Sequence, residues 1–233
     1  IYSTFLQRGY DQLIHDVAVQ NLDVTFALDR AGLVGEDGPT HSGNYDIAYL
    51  RCIPNMVVCT PSDENETRKL LTAAYRYNGP ASVRYPRGTG SNAIVEKNLE
   101  SLEIGKAKVI KEEGSKVIVL NFGTLIETSK DIASNLKATI IDMRFVKPLD
   151  ELLLKKFLSK ADVFISIEDG SVMGGAGSAV QEFASKEKIN IKSILFGIPD
   201  VFIDHASRHE MLEEAGLSLS KIKIKLEELL SES

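Results

Sequence analysis

Short apolar runs alternate with stretches of helical spacing along most of this chain, and no other feature limits its fold as strongly. The apolar runs are too short for core helices and predict buried strands. Strands separated by single helices imply βαβ crossovers and parallel sheets. The sequence therefore predicts an α/β fold of three-layer, parallel-sheet domains. The predicted strands are 24–28, 56–59, 81–85, 116–120, 138–142, 163–167 and 191–196. The predicted helices are 13–19, 61–77, 124–136, 149–158 and 177–184, and more than one helix is predicted to fill 208–230.

The alternation stops between residues 88 and 104. Turn-forming residues open this segment and a mostly polar stretch follows, which is typical of a domain boundary. We therefore predict an incomplete domain at 1–104 and a complete one at 105–233. Within the first, Thr60 is the predicted N-cap of a helix with Pro61 at its first position.

Composition argues against several classes of protein. Hydrophobic residues make up 43% and charged residues 26%, which fits a folded globular chain. A net charge of −6 argues against a nucleic-acid partner, because phosphate backbones favour clustered cations. No apolar run reaches the roughly 18 residues that predict a membrane span. No metal site is predicted, since Cys52 and Cys59 lack a ligand pattern and His205 and His209 lack a third ligand.

The loop at residues 29–43 follows a predicted strand and carries candidate catalytic side chains. In parallel α/β sheets, ligands bind at the carboxyl ends of strands. Arg30 offers a planar fork for phosphate or carboxylate, and His41 can exchange protons near neutral pH. From the pattern alone, a solvated polar turn explains this loop about as well.

Two further segments follow predicted strands. Arg84 and Arg87 suggest an anion site, although a pair of surface cations would give the same pattern. The glycine-rich segment 174–178 precedes a predicted helix, whose N-terminus could bind an anion. That segment lacks the lysine of a phosphate-binding loop, so close packing of strand against helix is the favoured interpretation.

Eight segments, taken in chain order, carry a resemblance to a known family. They read YSTFLQR at 2–8, DRAG at 29–32, DGPTH at 37–41, LRCIP at 50–54, TPSDENE at 60–66, RYPRG at 84–88, DMRFVKPLD at 142–150 and MGGAGS at 173–178. They resemble the 1-deoxy-D-xylulose-5-phosphate synthases, which are transketolase-like thiamine-diphosphate enzymes. Because the similarity runs nearly end to end, it is far more specific than any single motif.

The resemblance implies a domain assignment and a reaction. Residues 1–104 would be the last part of a pyrimidine-binding domain, and residues 105–233 a transketolase C-terminal domain. The enzyme would be a transferase that uses thiamine diphosphate and Mg²⁺ to condense pyruvate with glyceraldehyde 3-phosphate. It would release CO₂ and give 1-deoxy-D-xylulose 5-phosphate for isoprenoid and thiamine synthesis. The family is homodimeric, in the bacterial cytoplasm or the plastid stroma.

The resemblance also implies binding residues. Phe5 would stack on the aminopyrimidine ring of the cofactor, and Arg8 would lie near the same ring. Tyr2, Arg30 and Arg87 would hold the acceptor aldehyde and its phosphate, where charge-assisted hydrogen bonds are strongest.

The implied catalytic residues are His41 and Asp37, which would face the reacting centre. His41 would transfer a proton or stabilise an oxyanion. The glutamate that activates the aminopyrimidine in the family, and the magnesium ligands, lie upstream of the matched segments and are absent from this sequence. Because the chain also begins at Ile1 without an initiator methionine, we expect a fragment that needs the missing N-terminal part of the same enzyme and is inactive alone.

Three other interpretations stay open. A transketolase would share the loop at 37–41. The beta subunit of a 2-oxo-acid dehydrogenase would share the look of residues 142–150, but would not be expected to carry that loop. A non-catalytic dimerisation or binding module would fit the second half.

Overall fold

A computed structural model describes residues 1–231, and its strands form two sheets. The α/β fold class predicted from the sequence is confirmed, because helices connect the parallel strands of both sheets. The strands are β1 Thr25–Leu28, β2 Val57–Cys59, β3 Ala81–Arg84, β4 Lys108–Lys111, β5 Val117–Phe122, β6 Thr139–Asp142, β7 Phe145–Lys147, β8 Val163–Ser171 and β9 Lys192–Ile198. The α-helices are α1 Ser3–Leu6, α2 Tyr10–Gln12, α3 Asp46–Leu50, α4 Glu64–Arg76, α5 Ile126–Leu136, α6 Glu151–Leu158, α7 Ala176–Lys186, α8 Arg208–Glu214 and α9 Leu219–Ser231. Tighter or wider helical turns occupy Gln7–Gly9, Leu13–Ala18 and Gly35–Asp37.

The first sheet has the strand order β1-β3-β2-β7. Its first three strands are parallel, and β7 pairs antiparallel with β2, with Val58 opposite Lys147 and Cys59 opposite Phe145. The strand β7 follows residue 104, so the second predicted domain contributes an edge strand to the sheet of the first. The sequence did not predict that β7 joins the sheet of the first half.

The second sheet has the order β4-β6-β5-β8-β9, with β4 antiparallel at one edge and the other four strands parallel. The strands predicted at 116–120, 138–142, 163–167 and 191–196 are confirmed as β5, β6, β8 and β9. In β8 the strand continues to Ser171, beyond its predicted end.

One hydrophobic core joins the two halves. Leu28 and Leu50 from the first half belong to the same buried cluster as Leu120 and Phe164 from the second. Burial of each such side chain contributes about 1.5–3 kcal/mol to stability. The two sheets are therefore held together by continuous packing and not only by the connecting segment.

The helix α4 begins three residues later than predicted. Asp63 is its N-cap, and the Asp63 carboxylate accepts a 2.7 Å hydrogen bond from the backbone N–H of Glu66. The predicted N-cap at Thr60 is wrong, because the Thr60 backbone N–H donates to the Arg144 carbonyl at 2.7 Å and prolongs the contact between β2 and β7.

The outer edge of β1 receives the first residues of the chain. The Ile1 amino group donates to the Ala27 carbonyl at 3.0 Å, and the Asp29 N–H donates to the Ile1 carbonyl at 3.0 Å. The Ser3 N–H then donates to the Asp29 carbonyl at 2.8 Å. These residues form a short parallel ladder that brings Tyr2 and α1 to the carboxyl end of β1. No helix within residues 1–231 is long and apolar enough to cross a membrane.

Candidate active site

The loop after β1 and the end of β3 meet at one edge of the first sheet. The Ala31 N–H donates to the Tyr85 carbonyl at 2.9 Å, which fixes the start of the loop against β3. Gly32 and Gly43 then exchange two backbone hydrogen bonds of 2.8 and 2.9 Å, so the ten residues between them form a closed excursion. A Cβ on Gly43 would lie 2.2 Å from the Arg30 carbonyl oxygen and 2.6 Å from Ser3 Cβ, so only glycine fits at this neck.

Asp37 lies between two arginines on this excursion. Its carboxylate is 3.3 Å from Arg30 Nε and 3.4 Å from Arg87 Nε. Arg30 also pairs with Asp29 at 2.7 Å, and it has a φ of 58°, a left-handed conformation that costs a non-glycine residue about 1–3 kcal/mol. Backbone strain of this kind concentrates at functional sites. The Arg87 side chain remains 39% exposed, so it can still reach a ligand.

Aromatic rings extend this cluster away from the arginines. The Arg30 guanidinium lies 4.0 Å from the centre of the Tyr2 ring, and Tyr2 stacks on Phe5 at 5.0 Å between ring centres. Phe5 in turn meets the His41 ring edge to face at 5.5 Å. The Phe5 side chain is 47% exposed, which leaves an apolar surface open beside a polar cluster.

A hydroxyl group lies against one nitrogen of His41. Thr40 Oγ1 is 3.0 Å from His41 Nδ1, and Thr4 Oγ1 donates to the Thr40 carbonyl at 3.2 Å. With Nδ1 engaged, the Nε2 nitrogen of His41 is the one available to a ligand. Sequence reasoning missed both threonines: they lie in the segments 2–8 and 37–41, but the resemblance assigned a role to neither.

The structure brings together six of the seven predicted site residues. Direct contacts join them in one row, and the role of each remains a prediction. Arg8 is the exception, because it is exposed on the turn Gln7–Gly9 and is not part of the contacts that form the row. The six are Tyr2, Phe5, Arg30, Asp37, His41 and Arg87.

Arg84 is neither a ligand site nor a surface cation. It is 3% exposed, its Nε is 2.9 Å from the Asp46 carboxylate, and its Nη1 pairs with Asp169 of the second half. Its Nη2 also reaches the carbonyl of Gly43 at the neck of the loop, at 3.4 Å. Burial alone would raise the pKa of Asp169, but the charge of Arg84, the Thr124 hydroxyl and the charge of Arg208 together outweigh burial and hold that pKa below its ordinary value. The interpretation of Arg84 as part of an anion site is therefore wrong.

The glycine-rich segment serves packing, as the favoured interpretation expected. The Glu168 carboxyl group accepts backbone hydrogen bonds from Ala176 at 2.8 Å and Gly177 at 2.9 Å, so the first turn of α7 is already occupied by a side chain of the protein itself. A Cβ on Gly175 would lie 2.3 Å from that carboxylate. Burial raises the pKa of Glu168 to about 7, although these hydrogen bonds oppose the shift.

Known families match both halves of the chain. The profile described as "Transketolase, pyrimidine binding domain" matches residues 1–91, and the profile described as "Transketolase, C-terminal domain" matches residues 105–222. The second match alone covers more than half of the 233 residues.

Individual proteins are similar to the whole chain. A 1-deoxy-D-xylulose-5-phosphate synthase of Pseudomonas fluorescens (strain Pf0-1) is 58% identical over 99% of this chain and 36% of its own length. One of Stutzerimonas stutzeri (strain A1501) is 56% identical with the same coverage. The chain thus spans about a third of the length of these curated relatives.

A solved structure gives the same result. It is described as "Split gene transketolase, inactive beta4 tetramer", and it matches with a TM-score of 0.83 and 27% sequence identity, over 99% of this chain and 74% of that one. Together with the two domain matches, this likeness leads to one conclusion: the chain belongs to the transketolase family.

Proposed function

We propose that this chain is the C-terminal part of a 1-deoxy-D-xylulose-5-phosphate synthase. The complete enzyme would condense pyruvate with glyceraldehyde 3-phosphate and release CO₂. The observation that carries this proposal is the contact row, in which cations, aromatic rings and an imidazole converge at the carboxyl end of β1. The two synthases of Pseudomonas fluorescens and Stutzerimonas stutzeri support the choice of reaction within the family.

Arg30 and Arg87 would bind the phosphate of the acceptor aldehyde. Both approach one Asp37 oxygen, so their guanidinium groups already converge on a single anionic point. A phosphate offers more acceptor oxygens than a carboxylate, and charge-assisted pairs with arginine are frequently bidentate. Asp37 would keep the two side chains oriented, and Tyr2, stacked under Arg30, would limit the motion of that guanidinium.

The residues present fit the aminopyrimidine part of thiamine diphosphate. Phe5 offers an exposed ring face beside His41, and an aromatic ligand ring stacked there would gain about 0.5–1.5 kcal/mol beyond burial. Within residues 1–231 no group of three or more potential metal ligands comes together, so we propose that the diphosphate and its Mg²⁺ are held by the missing part. When bound, the cofactor supplies the carbanion chemistry.

His41 would hold or move a proton at Nε2 next to the bound acceptor. Thr40 occupies Nδ1, which leaves Nε2 as the nitrogen that can face a substrate oxygen. Positioned proton transfer of this kind contributes typically 10²–10⁴-fold to rate. The Phe5 ring against the imidazole would fix its plane and exclude water from one side.

Activity would depend on the remaining part of the enzyme. The curated relatives are nearly three times as long as the matched stretch, and the split-gene transketolase neighbour is described as an inactive tetramer. We propose that the complete enzyme is a homodimer, as the family resemblance implies. We place it in the bacterial cytoplasm, because the relatives named above are from bacteria, which have no plastids.

A reconstitution assay tests the proposal. The chain would be combined with a polypeptide carrying the missing part, and CO₂ and 1-deoxy-D-xylulose 5-phosphate would be measured with pyruvate, with and without glyceraldehyde 3-phosphate. We expect product only from the combination with both substrates. Turnover of ketose donors in place of pyruvate would favour a transketolase, and decarboxylation that ignores the aldehyde phosphate would favour a 2-oxo-acid dehydrogenase subunit. No binding of thiamine diphosphate under any condition would favour a non-catalytic module.

The phosphate site has its own test in the reconstituted enzyme. Arg87→Ala should raise the KM for glyceraldehyde 3-phosphate at least about tenfold and leave the KM for pyruvate nearly unchanged, because one charge-assisted contact is lost. Arg76→Ala is the matched control, since Arg76 is exposed at the far end of α4. Equal effects of Arg87→Ala on both KM values would refute the phosphate role.

A further inference from the structure

A cleft of about 1030 Å³ lies between the two halves of the molecule, next to the contact row. One wall is formed by the segments that follow β1 and β3, and it includes Arg87. The other wall is formed by Thr124, after β5, and by Ser207 and Arg208 at the start of α8. The cleft thus joins the carboxyl ends of parallel strands from both sheets, which is where α/β proteins bind ligands. Small-molecule sites commonly have volumes of about 300–1,000 Å³.

Arg208 is a cation of this cleft for which the described residues provide no ion pair. Its Nη2 donates to Thr124 Oγ1 at 3.2 Å, and its Nε is buried without an acceptor. Within residues 1–231 its guanidinium forms no ion pair, and it acts on Asp169 only at longer range. Asp169 already pairs with Arg84. A guanidinium left in this state binds phosphate or carboxylate readily, because its fork matches their geometry.

The carboxylates on the cleft wall do not neutralise it. Asp63 caps α4 and accepts the backbone N–H of Glu66. Glu64 accepts hydrogen bonds from Ser91 Oγ at 3.0 Å and from the Asn92 N–H at 2.9 Å. The remaining acid, Glu36, is exposed to solvent on the loop after β1.

Arg208 is held in place by a chain of hydrogen bonds that reaches the candidate active site. The Thr124 hydroxyl, which Arg208 contacts, donates to the Asp169 carboxylate at 2.8 Å. Asp169 pairs with Arg84, and Arg84 donates to the Gly43 carbonyl at the neck of the loop that carries His41. The position of the Arg208 guanidinium is therefore linked by hydrogen bonds to the loop that carries His41.

We propose that Arg208 binds an anionic group of a small molecule, a phosphate ester or a carboxylate, at a position separate from the acceptor phosphate. We place the two anions apart because the two arginines, although both line the cleft, are anchored in different halves of the chain. Arg87 is anchored to Asp37 and the Val34 carbonyl in the first half, whereas Arg208 is anchored to Thr124 in the second. This inference does not depend on the proposed reaction, since binding to the chain can be measured without activity.

The test is a titration of the 233-residue chain with inorganic phosphate, followed through the NMR resonance of the Arg208 Nε–H and by calorimetry. We expect a saturable shift of that resonance, and at least about tenfold weaker binding in Arg208→Gln, because a charge-assisted contact is lost. Arg208→Lys, which keeps the charge but loses the planar fork, should bind with an affinity between those of the wild type and Arg208→Gln. Arg76→Gln, which removes an exposed arginine outside the cleft, should change nothing.

Two outcomes would overturn the proposal. The first is an unchanged isotherm in Arg208→Gln, or an equal loss in Arg76→Gln, which would mean that phosphate binds to surface charge in general. The second concerns Arg87→Gln. If the Arg208 resonance no longer responds to phosphate in that variant, the two arginines share one site and no second position exists. If Arg208→Gln does not fold, a wild-type Arg208 resonance that ignores phosphate is sufficient to reject the site.

Discussion

Replacing Arg84 by methionine removes the guanidinium that forms ion pairs with both Asp46 and Asp169. All three side chains are at least 96% buried, and the methionine keeps much of the volume of the arginine. Two buried carboxylates would then lose their paired cation and keep only hydrogen bonds from the Thr124 hydroxyl and the Ile47 N–H and the weaker influence of Arg208. Breaking a buried ion pair by removal of one partner costs about 3–5 kcal/mol. For a chain of this size, about 2–4 °C of melting temperature is lost per kcal/mol, so we expect a decrease of about 6–20 °C.

The loss should depend on pH in a defined direction. In the wild type the pKa of Asp169 is held below its ordinary value, so its stabilisation is present above an unfolded pKa of about 3.9 and is lost as pH falls through the folded pKa. Without Arg84, burial raises the pKa of Asp169. At low pH Asp169 is then protonated, so the variant no longer carries the cost of burying that unpaired charge. The difference in unfolding free energy between the two proteins should therefore narrow as pH falls from 7 towards about 4.

Urea unfolding of the wild type and of Arg84→Met at several pH values measures this difference. Arg76→Met is the control for loss of an exposed arginine and should stay within about 0.5 kcal/mol of the wild type. Adding Asp169→Asn to Arg84→Met should recover part of the loss, because one uncompensated charge is removed. A loss below about 1 kcal/mol at pH 7, or a difference that widens on acidification, would refute the reasoning.

Three further predictions concern single side chains. Thr40→Val should lower turnover of the complete enzyme roughly 2- to 10-fold and shift its pH profile, because the partner of His41 Nδ1 is lost, while Thr40→Ser should behave like the wild type; an unshifted profile would argue against this positioning role. His41→Ala should lower turnover by about 10²–10⁴-fold with little change in thiamine diphosphate affinity measured by calorimetry, and unchanged turnover would remove His41 from the mechanism. Glu168→Gln should flatten the pH dependence of stability: burial raises the folded pKa of Glu168 to about 7 against an unfolded value of about 4.3, so the wild type loses stability as pH rises between them. Urea unfolding at pH 5 and at pH 8 would contradict that last expectation if the unfolding free energy changed by the same amount between the two pH values in both proteins.

The sequence predicts those strands whose local pattern of apolar residues matches their burial in the folded protein. The strands β5, β6 and β8 are buried for most of their length, so each reads as an apolar run. The strand β4 was missed because it is a half-exposed edge with lysine at both ends. The strand β7 was missed because it has three residues and pairs with β2 of the other half, a contact that no local pattern encodes.

The candidate site divides along the same line. The order of the motifs predicted Tyr2, Phe5 and His41 as site residues, because each lies in a segment typical of one family. Arg84 was misjudged, since its partners lie 38 and 85 residues away and only the folded chain brings them together. Thr40 was overlooked for the opposite reason: it adjoins His41 in sequence, but only the geometry shows that its hydroxyl faces the ring.

The pairing of β7, from the second half, with β2, from the first half, matters for the design of truncated polypeptides. A truncated polypeptide that stops at residue 104 would lack the strand that covers β2, and the backbone of Val58 and Cys59 would become an unprotected sheet margin prone to self-association. In a polypeptide that starts at residue 105, Phe145 and Val146, which are buried in the whole chain, would be exposed as an apolar strand without a partner. To study either half, a polypeptide that keeps β7 together with β2 is a better choice than one cut within the polar segment 88–104.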